Sequence, residues 1–400
     1  MWHSRRMAAL PDPAAALAAA RALAPTLAER AAEHDRAGVF PADDFADLRE
    51  AGLLSVMVPT RLGGPGCGFA DYAAIADALA QGNGATALVF NMHASVTGAL
   101  AGVPDEVARA LGVPDSYFPA RDALLRSALA GGLFAVAMSE RGAGSRLSAI
   151  TTAYEPVDGG YHIRGDKAFV SGAGFAEHYL VAARRADADP AQVSYFVVPA
   201  SAGLTVEQTW DSLGMRATGS QDMHIDVVVG AEALLGGLEG LTLLLAQVMP
   251  QWLVASYAAV YVGVAQSAVD SAVSHVDSRG LRDLPAVRAR IGRADAAVAA
   301  ARLVVTEAAR RVDADAGNPG TNRWVWRAKL LAGETAMTVA ASMLEAAGTG
   351  ASRRGHPLER IFRDARCGSL QPATSDVCAD WLGMAALGLD PDGDAAVRRW

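Results

Sequence analysis

The sequence holds little cysteine: Cys67, Cys367 and Cys378 are the only three in 400 residues, an odd number without metal-ligand spacing. That excludes a disulfide scaffold and fits a reducing, cytoplasmic setting. Charge is also sparse, at 20% of residues, with a balance of -8. Its basic clusters stop at pairs such as Arg310-Arg311 and Arg353-Arg354. A net acidic chain of this kind lacks the footprint of a nucleic-acid or anionic-membrane partner. No glycine-rich phosphate loop opens a strand–helix unit, which argues against direct nicotinamide binding. No His/Cys/acid cluster has metal spacing, so no metal site is expected. The opening MWHSRRMAAL carries two arginines with no long apolar core behind them, and no secretory leader is expected.

What is present is apolar and rich in alanine. Hydrophobic residues make up 52% of the chain. Alanine favours helix strongly, and this length suits two or three domains. Leu241 to Val269 contains no charged residue, long enough to cross a bilayer. It also contains Pro250, Gln247, Gln251 and Gln266, and lacks an aromatic belt with basic flanks. The centre of a large helical bundle needs such an all-round apolar helix, and that is the expectation here.

Three regions follow from the periodicity. Residues 1–132 read as an N-terminal helical domain, with helical spacing from Ala14 to His34, from Phe40-Pro41 onward, at Asp71 to Ala80 and at Ala85 to Leu100. Residues 133–232 switch to short runs rich in β-branched and aromatic residues: 151–154, 161–163, 168–171, 179–183, 193–198 and 224–229. These predict a compact antiparallel β-domain. Residues 233–400 return to long helices, predicted at 241–278, 285–315, 322–347 and 373–388, as a C-terminal bundle. The fold class is α+β.

Five motifs then carry a resemblance. Residues 139–145 read Ser-Glu-Arg-Gly-Ala-Gly-Ser, 165–172 read Gly-Asp-Lys-Ala-Phe-Val-Ser-Gly, and 213–220 read Leu-Gly-Met-Arg-Ala-Thr-Gly-Ser. Ala51-Gly52-Leu53-Leu54 with Gly63-Gly64-Pro65-Gly66 precede them, and Leu358-Glu359-Arg360-Ile361-Phe362-Arg363-Asp364-Ala365 follows. In this order and spacing the chain resembles the acyl-CoA dehydrogenases. The resemblance implies bound FAD, an acyl-thioester cleft and a homo-oligomer, dimer or tetramer. It assigns Met138, Ser139, Phe169 and Ser171 to the flavin ring. Arg279 would reach the diphosphate of a neighbouring subunit's FAD, and Ser145 would lie beside the substrate's pantetheine. Taken without the resemblance, Ser139 and Ser145 read as turn residues, Phe169 as core and Arg279 as a solvated helix end.

The residue that does the family's chemistry is missing. Desaturation of an acyl thioester needs a carboxylate to take the α-proton while hydride leaves the β-carbon. The family's usual glutamate position is occupied by Pro372, and its alternative place on the long helix falls on Leu253. Three readings remain. The first is an α,β-oxidation of a CoA- or carrier-bound acyl group with a displaced base, served by an electron-transfer flavoprotein; Asp376, Asp364 and Glu345 are the available acids. The second is a monooxygenase of the same fold, using reduced flavin or FMN from a flavin reductase and acting on a small amine, ring or sulfur substrate. Such an enzyme would use His93 and Ser171 beside the flavin. A lone histidine on an apolar helix is more often a hydrogen-bonded core residue. The third is a non-catalytic relative that binds flavin or acyl groups.

Overall fold

The computed structural model describes residues 8–188, 192–201, 203–248, 250–252, 255–391 and 394. Six helices come first: α1 (Pro13–Ala37), α2 (Ala42–Glu50), α3 (Phe69–Gly82), α4 (Gly84–Ala101), α5 (Asp105–Ala110) and α6 (Tyr117–Leu129). Asp12 starts α1 by accepting from Ala15 N–H (2.8 Å), with Pro13 in the first turn, where its missing N–H costs nothing. Gly38 ends α1 in the left-handed conformation (φ 66°). Helix α4 is buried on every face from Gly84 to Gly98, which its near-absence of charge permits.

Seven strands follow: β1 (Phe134–Ala137), β2 (Ala153–Val157), β3 (Gly160–Val170), β4 (His178–Arg185), β5 (Val193–Pro199), β6 (Leu204–Glu207) and β7 (Gln221–Gly230). They form one sheet in the order β1-β4-β2-β3-β7-β6, with β5 also paired to β4. The expectation of a purely antiparallel sheet is corrected: β1 and β2 both run parallel to β4. Hairpin signals such as Asp158-Gly159 reveal antiparallel neighbours, but long returns leave no local signature. The two short runs expected at 161–163 and 168–171 are one strand. Gly165-Asp166 continue the ladder opposite Ile225 and His224. The register then shifts between Lys167 and Val170, so Phe169 lies in a bulge.

The remaining helices are α7 (Leu241–Val248), α8 (Ala255–Ser278), α9 (Pro285–Asp315), α10 (Pro319–Ala347), α11 (Pro357–Arg366) and α12 (Ser375–Ala386). The single helix expected at 241–278 is broken. Pro250 cannot donate a backbone N–H, and residues 250–252 form a separate 3-10 turn. The stretch 250–278 is long and apolar enough to cross a membrane, and 73% of its most apolar window is buried inside the protein. Within it, α8 packs in the bundle as a core helix. Pro at the first turn of α9, α10 and α11 marks each start.

Candidate functional site

The site grows from the end of β1. Past Ala137 the chain turns through Met138–Ser145, and Glu140 holds that turn. Its carboxylate accepts from Thr151 N–H (2.6 Å), Thr151 Oγ1 (2.7 Å), Thr152 N–H (3.0 Å) and Lys167 Nζ (2.8 Å). Lys167, wholly buried on β3, also donates to Met138 O (3.2 Å). Burial pushes the Lys167 ammonium down to about 8 despite its partner. Burial alone would raise Glu140, but the Lys167 charge and the Thr151 bonds hold it down at about 2. The pair is ionised at neutral pH and locks the turn to the strand. Ser139 is half-buried, its carbonyl taking Ala168 N–H (2.8 Å). Tyr195 OH donates to Met138 Sδ (3.2 Å). Ser145 follows, half-buried, at the far end of the turn.

Two residues past Lys167 stands Phe169, with φ 60° and 59% exposure. A bulky side chain in left-handed backbone costs on the order of 1–3 kcal/mol and persists where the surroundings enforce it. Here the bulge turns the ring outward, edge-on to Trp210 at 6.1 Å. Beyond it lies a row of buried hydroxyls. Ser171 Oγ is 2.9 Å from Ser220 Oγ, Ser220 Oγ is 2.6 Å from Thr218 Oγ1, and Thr218 donates to Met215 O at 2.9 Å. An exposed aromatic face next to a line of hydroxyls fits a flavin ring, which needs an apolar platform and hydrogen-bonding groups along one edge.

Two of the sequence motifs meet beside this row. Asp364 of α11 accepts Met215 N–H at 2.6 Å, and Arg363 donates to Leu213 O (3.1 Å) and to Asp35 of α1 (2.9 and 2.5 Å). Gly214 passes so close that a Cβ there would lie 2.1 Å from Arg363 O, so no other residue fits. Asp364 is therefore a packing acid, raised by burial, with Arg360 opposing.

Pro372 lies in the segment 367–374 between α11 and α12. Lys329 of α10, wholly buried, donates to Gly368 O (2.9 Å), Gln371 O (3.1 Å) and Ala373 O (2.9 Å). Tyr261 OH donates to Gln371 Oε1 at 2.7 Å. Burial pushes Lys329 down to about 8, still largely protonated at neutral pH. Lys329 was invisible as a site residue in the sequence. Its one signal is a lysine inside the apolar run Ala328 to Ala332.

His93 is corrected from a catalytic candidate to a core residue. It is wholly buried, with Nε2–H donating to Leu54 O (2.6 Å) and Nδ1 accepting Phe134 N–H (3.1 Å). Both ring nitrogens are committed, and burial pushes its pKa down to about 4. The other acids are accounted for as well. Glu345 pairs with Arg290 (2.6 Å). Asp376 is exposed in the first turn of α12, where Thr374 caps the helix. Leu253 lies outside the described residues. Arg279 is exposed just past α8.

A cavity of about 510 Å³ lies between α3, α4, α6, α7 and the sheet. Val136 and Tyr195 bring it up to the strand end that carries Met138. Phe69 and Trp252 line it, packed edge to face at 4.8 Å. Gly98 makes room for that wall, since a Cβ there would lie 2.4 Å from the Trp252 ring. Among the described residues, Arg121 and Asp313 are the charged ones in the lining, and both are paired. Arg121 donates to Asp105 (2.7 Å) and Asp122 (2.9 Å), and Asp313 accepts Phe69 and Ala70 N–H at the start of α3 (2.7 and 2.9 Å). Sequence reasoning missed this cavity, because its walls come from segments about 200 residues apart.

Sequence and fold together match a known family. The models of the acyl-CoA dehydrogenase N-terminal, middle and C-terminal domains match residues 14–110, 135–228 and 255–374. The chain belongs to the acyl-CoA dehydrogenase family. It is 32% identical to an L-evernosamine nitrososynthase of Micromonospora sp., over 92% of this chain and 89% of that protein. It is 28% identical to a putative acyl-CoA dehydrogenase, YdbM, of Bacillus subtilis, over 90% and 93%. A solved structure of KijD3 with FMN and a dTDP-linked amino sugar superposes with a TM-score of 0.82 at 28% identity, covering 97% of each chain. A dibenzothiophene monooxygenase, TdsC, of Paenibacillus sp. A11-2 shares the fold, with a TM-score of 0.81 at 24% identity over 93% and 97%.

Proposed function

We propose that this flavoprotein is a monooxygenase: it holds reduced flavin and dioxygen against a neutral, mostly apolar substrate in the cavity. The observation that carries the reading is the missing base. Pro372 cannot take a proton, and Asp364, Glu345 and Asp313 each serve a structural partner. Asp376 sits exposed at a helix start. Among the described residues that line the cavity, Asp313 is the one carboxylate, and its oxygens accept from Phe69 and Ala70 N–H. Oxygen transfer needs no α-proton to be removed. The relatives support the choice, since a nitroso group is nitrogen that has gained oxygen.

Met138, Ser139, Phe169 and Ser171 would hold the flavin ring. FMN stands ahead of FAD because the KijD3 complex holds FMN. Arg279 would serve a diphosphate only in the FAD case. When bound and reduced, the flavin supplies two electrons, so that one atom of O₂ enters the substrate and the other leaves as water. The chain's own part is placement and dryness. The Glu140–Lys167 pair fixes the turn under the ring, and the apolar cavity walls exclude water. The substrate is ring-sized and uncharged, because Arg121 and Asp313 have no charge to spare for an ion, and the Phe69–Trp252 wall suits a flat face.

Purified protein, photoreduced FMN and ¹⁸O₂ test this with indole and thioanisole as neutral probes. Label from O₂ in the oxygenated probe is expected. Flavin reduction by an acyl-CoA, with no label in either probe, would sink the reading.

A further inference from the structure

We infer that the buried hydroxyl row fixes Ser171 as a hydrogen-bond acceptor, so that the site selects reduced flavin over oxidised flavin. This rests on the flavin reading above, together with the family resemblance, which implies that Ser171 lies near N5 of the ring. Each hydroxyl has one proton to give and two lone pairs to receive with. Thr218 spends its proton on Met215 O, a carbonyl that can only accept (2.9 Å). Thr218 therefore accepts from Ser220 across their 2.6 Å contact. Ser220 has then spent its own proton, so in the 2.9 Å contact with Ser171 it accepts, and Ser171 donates. The protons run one way: Ser171 to Ser220 to Thr218 to Met215 O.

The direction is held from behind. Thr218 is wholly buried, and Ser171 and Ser220 nearly so, which leaves little water to reverse the row. Met215 is itself pinned by Asp364 through its N–H. Ser171 is left with lone pairs for whatever arrives. Oxidised flavin presents N5 as an acceptor, and two acceptors face to face repel. Reduced flavin presents N5–H, a donor that satisfies Ser171. Ser220 and Thr218 are thus positioning residues that act through Ser171. The reduced flavin has to be supplied by a separate reaction that reduces free flavin.

Anaerobic calorimetry of the full chain with oxidised and with dithionite-reduced FMN reads the preference directly. The expected result is reduced FMN bound about tenfold more tightly, the worth of one net hydrogen bond. The midpoint potential of bound FMN should then lie about 30 mV above that of free FMN. Ser220→Ala frees the Ser171 proton to point at the flavin, and the preference should vanish or invert. Thr218→Val should act the same way, by releasing the Ser220 proton toward Ser171. Thr218→Ser keeps the row and should keep the preference. Equal affinities in the natural protein, or a preference that survives both Ser220→Ala and Thr218→Val, would overturn this inference while leaving flavin binding intact. Failure to bind FMN in either state would overturn the flavin reading and this inference with it.

Discussion

At the scale of residues, the site depends on ionised groups held out of water. Glu140 has a folded value of about 2 against an ordinary 4.5, so the folded state holds its carboxylate in the charged form. The stability this contributes is present above pH 4.5 and is lost as pH falls through that value toward 2. Glu140→Gln should therefore be less stable at pH 7, and its stability should fall less steeply over that window. Urea unfolding at a series of pH values checks this; parallel curves for both proteins would show that Glu140 does not carry the linkage. The motifs made Phe169 and Ser171 legible as residue types in a familiar order. Their setting was not: Thr218 and Ser220 lie about 50 positions from Ser171 and join it only when β3 and β7 pair. The sequence showed His93 as a single histidine on an apolar helix, and only the fold shows that Leu54 and Phe134 take both its nitrogens.

At the scale of elements, the segment 367–374 has little secondary structure of its own and takes its shape from Lys329. Three carbonyls converge on one ammonium, and hydrogen bonds to a charged group contribute about 1.5–3 kcal/mol each. Lys329→Met keeps the stem's bulk and removes the donors. It should lower stability by about 2–4 kcal/mol and speed hydrogen exchange in 367–374 more than in α9. Uniform exchange across the bundle would contradict a local anchoring role. Most helices were legible because alanine-rich spacing, an N-cap such as Asp12 and a first-turn proline such as Pro285 act locally. The long helix from 241 was misread because an uncharged run masks the break at Pro250. The parallel pairing of β1 and β2 with β4 was hidden because it depends on residues dozens of positions apart.

At the scale of the whole molecule, the family resemblance leads us to expect assembly. Leu213, Leu303, Leu370 and Leu387 are each more than half exposed. Light scattering at micromolar concentration should give a dimer or tetramer, and a monodisperse monomer would contradict that. We propose that this chain has given up acyl desaturation, because Pro372 stands at the family's base position while Asp364, Glu345 and Asp313 serve structural partners and Asp376 is exposed at a helix start. Loss of a positioned base typically slows such a step by about 10²–10⁴-fold. The most direct measurement is anaerobic mixing of the oxidised flavin-bound protein with butyryl- or octanoyl-CoA, followed at the flavin's visible absorbance. No bleaching is expected on the scale of seconds to minutes. Rapid, stoichiometric bleaching would contradict the proposal, by showing that a carboxylate in this chain does reach the α-carbon.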